Sequence, residues 1–293
     1  MRWATWRRPG TFDDRVGVVV DGEIRSLPPG PALVDLLGDL ERHGRRAART
    51  PFDVVELDAV ELRAPVPHPP AVRDFYAFEQ HVKTAREGRG MQMDPDWYEL
   101  PVFYFSNPHS IAGPGADVRV PPGCEWLDYE LEVAAIVAQE GADLDAASAA
   151  TTHIAGFCIM NDWSARDLQG REMRQMLGPA KGKDFATSLG PFLVTPDELP
   201  ADLALTMTAT VNGREYSRGR LGDLHWSWGE ILAYASRGTR VVPGDVIGSG
   251  TVGTGCILEL SISDGSDAYP WLRSGDEVVL EVERLGQLRN RIV

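Results

Sequence analysis

The chain has 293 residues, 43% of them hydrophobic and 25% charged, enough for a large core and one or two domains. Its formal net charge of −14 works against a polyanionic partner, and the one basic stretch, "ERHGRRAART" (41–50), reads as a solvated helix face, so nucleic acid is excluded. No apolar run approaches the roughly 18 residues of a membrane span, the basic start "MRWATWRRPGTFDD" has no signal-peptide core behind it, and Cys124, Cys158 and Cys256 form no CxxC pair, so a cytoplasmic protein with reduced thiols and no membrane partner is expected.

In chain order, "RVGVVVDGEIRSLP" (15–28) predicts two strands turning at Asp21-Gly22. "ALVDLLGDLERHGRRAA" (32–48) carries apolar residues at helical spacing. Four prolines from Pro65 to Pro70 mark an extended linker, which sets residues 1–65 apart as a small N-terminal α+β domain and 66–293 as the main body. Beyond it, 111–123 is rich in turns, and "HIAGFCIMND" (153–162) is a buried strand ending in polar residues. "SARDLQGREMRQM" (164–176) has a helical pattern, with Ser164 and Asp167 spaced as a capping box. "ALTMTATVNGREYSRG" (204–219) predicts a hairpin at Asn212-Gly213, and "WSWGEILAYASRG" (226–238) a helix. "VVPGDVIGSGTVGTGCILEL" (241–260) alternates strand with glycine turns, and "GDEVVLEVERLGQLRNRI" (275–292) closes with strands. Many strands with few, short helices predict an α+β, β-dominated fold.

Four stretches carry candidate chemistry. In "DYELEVAAIVA" (128–138), strand alternation puts Asp128, Glu130 and Glu132 on one face. Residues two apart on a strand face stand about 6–7 Å from each other, so two carboxylates can converge on one divalent cation of the hard, oxygen-preferring kind. Taken alone, the strand reads better as a wet acidic face. "IMNDWSARDLQ" (159–169) ends a strand at Asp162, which is either a third carboxylate ligand or an ordinary turn aspartate. "RDFYAFEQHVKTARE" (73–87), read as a helix, sets Asp74 and His81 two turns apart on one face. His81 is then either a general base or a structural histidine. "GPAKGKDFATSLGP" (178–191) holds Lys181 and Lys183 among glycines, as an oxyanion-stabilising turn or a surface loop; it is no P-loop. The glycine-rich 248–259 lacks GxGxxG and is not read as a nucleotide site.

Taken together, "DFYAFEQH", "DWYELPVFY", "LDYELEVA", "MNDWSARDLQ", "GKDFATSLGP" and "IGSGTVGTG" occur in the order of the signature segments of the fumarylacetoacetate hydrolase family, which the chain resembles over roughly residues 70–260. The resemblance implies a mixed β-sandwich/β-roll catalytic domain, a homodimer and a small-molecule keto-acid substrate. It implies that Asp74, Glu130, Glu132 and Asp162 bind one Mg²⁺ or Ca²⁺, with Mn²⁺ a further candidate. His81 would be the general base, oriented by Glu259, with Arg166, Gln169 and Lys183 around the reacting oxygens and Tyr76, Tyr104 and Thr251 contacting substrate. Shorter acylpyruvase and decarboxylase-like relatives place a glutamate soon after their histidine; Thr84 stands three after His81 here, which fits the hydrolase branch. The expected activity is hydrolytic C–C cleavage of a β-diketo acid, the alternatives being decarboxylation, hydration or isomerisation of a 2-oxo acid, or a non-catalytic metal-binding module. Gly90 replaces a family arginine, with Arg86 and Arg89 nearby, and Met173 replaces a tyrosine, so the end of the pocket that reads the substrate's far end is expected to differ.

Overall fold

The computed structural model describes all of residues 1–293. Its larger sheet runs through Asp53–Glu56, Glu23–Ser26, Arg15–Val20, Arg2–Arg7, Thr187–Val194, Ile154–Asp162, Leu131–Val137, Val246–Gly248, Val72–Phe75 and Phe103–Ser106. Along this path only Val246–Gly248 and Val72–Phe75 pair in parallel. A smaller sheet orders Arg214–Arg220, Thr206–Val211, Glu277–Val282, Gly286–Ile292 and Asp117–Val118. The architecture is the β-dominated α+β fold expected, and no helix is long and apolar enough to cross a membrane.

The central strands are buried on both faces, which is why they read as unbroken apolar runs. Leu131, Val133 and Ala135 join Phe157, Ile159 and, from the smaller sheet, Leu280 and Leu288 in one core. The alternate residues Ala134, Ile136, Cys158 and Met160 join Trp3, Leu33 and Leu36 from the N-terminal segment in another. That segment is a small α+β unit whose strands extend the larger sheet, with Arg2 opposite Val194 and Trp3 opposite Leu193. Both hairpins turn where expected. Asp21 and Gly22 have φ of 51° and 85°, and Asn212 and Gly213 have 51° and 78°, the paired left-handed residues of a tight two-residue turn.

Several local expectations change. Asp74 and His81 do not share a helix: Asp74 lies on the strand Val72–Phe75 and His81 on the helix Glu79–Glu87. The residues after Pro69-Pro70 are drawn into the sheet, Val72 opposite Val246, before the helix begins. The acidic stretch is interrupted, since Leu127–Asp128 pairs with Ser164–Ala165 and Leu131–Val137 with Ile154–Asp162. Ser164 therefore does not cap the following helix, which is Arg166–Met173; its hydroxyl donates to the Asp162 carbonyl. The 32–48 helix starts as a 3₁₀ segment, Leu33–Asp39, before Leu40–Arg49. The segment 241–260 ends in a helix, Ile257–Asp264, where glycine turns and strands were expected.

Candidate active site

A cavity of about 440 Å³ opens beside one end of the larger sheet. Asp74, Tyr76, His81, Tyr104, Glu130, Glu132, Arg166, Gln169, Lys183 and Thr251 all line it. Asp162 and Glu259 lie buried behind this lining, 0% and 2% exposed. Sheet register brings the strand residues together: Tyr104 stands opposite Asp74, Asp74 opposite Gly248, and Glu132 and Asp162 lie toward the same end of neighbouring strands.

Gly248 is required for this convergence. A Cβ there would lie 2.5 Å from Asp74 Oδ1 and 2.9 Å from the Met160 sulfur. Gly250 turns the chain with φ of 79° directly behind the Phe75 carbonyl, 2.4 Å from where its Cβ would stand. The glycines that form no nucleotide motif thus let one strand pass under the site.

One oxygen from each of Asp74, Glu130 and Glu132 lies within 4.8 Å of the others. The acids differ in what neutralises them. Arg166 Nε donates to Asp128 Oδ2 and its Nη2 to Glu130 Oε1, both at 2.8 Å. Lys183 Nζ pairs with Glu130 Oε2 and, at 2.6 Å, with Asp162 Oδ2. Burial works against ionisation of Glu130, but Lys183 and Arg166 prevail and hold its carboxyl below the ordinary range. Asp74 and Glu132 have no such cation in contact. Burial, with Asp162 beside Asp74 and with Asp74 and Glu130 beside Glu132, pushes both well above their usual values. Asp74 Oδ1, Glu132 Oε2 and Asp162 Oδ1 are buried acceptors without a hydrogen-bond partner.

His81 Nδ1 stands 2.8 Å from Glu259 Oε2. The Tyr76 ring and the imidazole stand nearly perpendicular at a centroid distance of 5.4 Å, and burial pushes the Tyr76 hydroxyl up to about 12. Tyr104 donates to Asp162, and Thr251 Oγ1 to Glu132 Oε1 at 3.3 Å. Arg166 Nη1 donates to Gln169 Oε1 at 3.1 Å, so the amide N–H groups of Gln169 are its free donors. All three nitrogens of Arg166 meet protein partners, and one N–H on each Nη is left over beside the cavity.

Asp128, read alone as part of a wet acidic face, is completely buried. Besides Arg166 it accepts from the backbone N–H groups of Ile257 at 2.7 Å and Leu258 at 3.0 Å, capping the helix that carries Glu259. The only sequence signal for it was its place on the face of Glu130 and Glu132. Phe103, Val102 and Leu258, also unforeseen, complete the apolar wall, while Arg86, Arg89, Met91 and Met173 stand among the remaining lining residues.

A family model described as fumarylacetoacetate (FAA) hydrolase C-terminal matches residues 71–293. Human mitochondrial oxaloacetate tautomerase FAHD2A is 30% identical over 256 residues, covering 85% of this chain and 74% of the relative. Fumarylacetoacetase of Arabidopsis thaliana is 30% identical over 266 residues, 70% of this chain; the alignment spans 63% of that relative's length. The solved fumarylacetoacetate hydrolase of Exiguobacterium antarcticum superposes over 100% of this chain and 99% of its own, with a TM-score of 0.75 and 27% identity.

Proposed function

We propose, starting from the fact that the chain belongs to the fumarylacetoacetate hydrolase family, that it is a divalent-metal-dependent hydrolase that cleaves a carbon–carbon bond in a β-diketo acid. The observation that carries this reading is one cavity lined by both a cluster of under-neutralised carboxylates and a histidine held by a buried glutamate.

The carboxylates fit a hard cation. Three buried oxygens, on Asp74, Glu132 and Asp162, lack any partner, and an all-oxygen donor set is what Mg²⁺, Ca²⁺ or Mn²⁺ takes. Asp74, Glu130, Glu132 and Asp162 would hold it, and when bound such an ion polarises a substrate carbonyl as a Lewis acid.

The chain's own residues supply the rest. Glu259 accepts the Nδ1 proton of His81, which leaves Nε2 as the basic nitrogen. That nitrogen takes a proton from the attacking water, and Glu259 stabilises the imidazolium that results. The free ammonium hydrogen of Lys183 and the free amide hydrogens of Gln169 are the donors for negative charge developing on the carbonyl oxygen and on the departing enolate. Each such donor contributes about 2–4 kcal/mol to lowering the barrier. Arg166 holds Gln169 and Glu130 in place. His81, re-protonating the enolate carbon or oxygen, completes the proton cycle. The same proposal includes a homodimer, to be read by light scattering in solution.

A second reading has one specific support, the tautomerase named above, whose similarity reaches across 85% of this chain. Without water attack, the same base moves a proton between carbon and oxygen of a 2-oxo acid, which is tautomerisation or isomerisation. Incubation with acylpyruvates, oxaloacetate and unsaturated 2-oxo diacids, followed by proton NMR, separates the two: cleavage fragments support hydrolysis, and loss of α-proton signal without fragments supports the second reading. His81→Ala is expected to abolish either turnover while Mg²⁺ binding by calorimetry persists; near-normal turnover would remove His81 as base.

A further inference from the structure

Three buried side chains next to the carboxylate cluster carry a different donor set. His81, Cys256 and Glu259 each offer one ligand atom, and the three atoms lie within 4.8 Å of one another. They come from the helix Glu79–Glu87 and from the start of Ile257–Asp264, where Cys256 occupies the cap position. His81 is 4% exposed, Cys256 0% and Glu259 2%. Cys256 Sγ lies 3.8 Å from Glu259 Oε2, the oxygen that also meets His81. Glu259 Oε1 is a second, independent sign: a buried acceptor with no partner at all. The reaction proposed above uses neither the sulfur nor that free oxygen.

One nitrogen, one sulfur and one oxygen form a borderline-soft set. Zinc takes such ligands, and three protein donors with a fourth position open is a common arrangement for it. Mg²⁺ and Ca²⁺ avoid sulfur and suit the neighbouring oxygen-only cluster. Charge balance agrees, since a dication with one thiolate, one carboxylate and a neutral imidazole sums to zero, which limits the cost of placing it in a dry interior. Bond lengths of about 2.0–2.3 Å to a tetrahedral ion set its donors roughly 3.3–3.8 Å apart. The sulfur–oxygen distance must close by about 0.2 Å, and the nitrogen–oxygen distance must open by about half an ångström.

We propose that His81, Cys256 and Glu259 form a second metal site, selective for thiophilic divalent ions of the zinc and cadmium class and distinct from the carboxylate cluster. On binding, Cys256 releases its thiol proton to solvent as the sulfur–metal bond forms. His81 ligates through Nδ1 with its ring proton on Nε2, and Glu259 binds through a carboxylate oxygen. His81 lines the cavity, so the ion enters from there. Occupancy removes the base and its orienting partner, and a zinc-class ion inhibits; that consequence rests on the catalytic reading of His81, whereas the site itself does not.

The test is a titration of Cd²⁺ into the Mg²⁺-saturated protein, following the ultraviolet thiolate-to-cadmium charge-transfer band, which oxygen ligands do not produce. One equivalent is expected to saturate the band in wild type. The band is expected to be lost in Cys256→Ser and in Cys256→Ala, weakened in His81→Gln and retained in Cys124→Ser. No band at one equivalent in wild type, or a band that survives in both Cys256 variants with native circular dichroism, overturns the site. A full band on protein that still turns over keto acid at the cadmium-free rate keeps the site and overturns the catalytic reading of His81.

Discussion

Arg166→Met tests how the acidic cluster is held. Arg166 makes two 2.8 Å ion pairs, to Asp128 and Glu130, and a 3.1 Å hydrogen bond to Gln169. Its side chain and both carboxylates are at most 5% exposed. Methionine is long, flexible and apolar, so it fills much of the space and removes mainly the charge and the donors. Glu130 keeps Lys183, while Asp128 keeps only the Ile257 and Leu258 amides. Removing one partner of a buried ion pair costs about 3–5 kcal/mol. At roughly 2–4 °C per kcal/mol for a chain of this size, the melting temperature falls by about 6–20 °C. Arg166→Lys is expected to recover little, because a point-like ammonium cannot replace a planar fork with three partners. Asp128→Asn completes a double-mutant cycle, in which the double variant is less destabilised than the sum of the singles by about 0.5–3 kcal/mol. Urea and thermal unfolding of wild type and the four variants in metal-free buffer measure all of these. A loss below about 1 kcal/mol for Arg166→Met, or strict additivity, would show that the ion pairs do not hold the cluster together.

Other predictions follow from the same geometry. Glu132→Gln removes one buried charge that no cation in contact offsets, so Mg²⁺ affinity by calorimetry falls while the metal-free protein gains stability; unchanged affinity would remove Glu132 as a ligand. Folded-state carboxyls raised above the ordinary 3.8 of Asp74 and 4.5 of Glu132 bind more protons than the unfolded chain does, so their effect is a loss of stability as pH climbs from those values through the raised ones. Glu130 is lowered below 4.5 and acts oppositely, its contribution being present above that pH and lost beneath its folded value. Urea unfolding across pH should therefore show the stability advantage of Glu132→Gln over wild type growing toward neutral pH without metal and vanishing or reversing with saturating Mg²⁺; an advantage that shrinks as pH rises contradicts the assignment. Gly248→Ala forces a methyl against Asp74 and Met160, costing about 1–3 kcal/mol and weakening metal binding, and a variant with wild-type melting and Mg²⁺ affinity would refute the close-approach reading.

The strands of the core were legible because they are short apolar runs rich in β-branched residues and bounded by turns, and the two hairpins because Asp-Gly and Asn-Gly favour left-handed turns. What misled was tertiary. The residues at 73–75 have helical spacing to His81, yet pairing with Val246–Gly248 claims them for the sheet. "CILEL" satisfies either period, and what makes it a helix is a cap supplied by Asp128, more than a hundred residues earlier. A reading of local sequence has no access to such a partner. For the same reason the sequence offers no role for Asp128, although it shares Arg166 with Glu130.

The floor and the rim of the cavity come from different kinds of structure. Asp74, Glu132 and Asp162 stand on sheet strands fixed by register and by a glycine that tolerates no side chain, whereas Arg89, Met91, Met173, Gly178 and Pro179 belong to helix ends and connecting loops. Substitutions on such loops change little that the core depends on. The rim can therefore change in shape and charge from one descendant of this chain to the next, while the cluster beneath stays fixed.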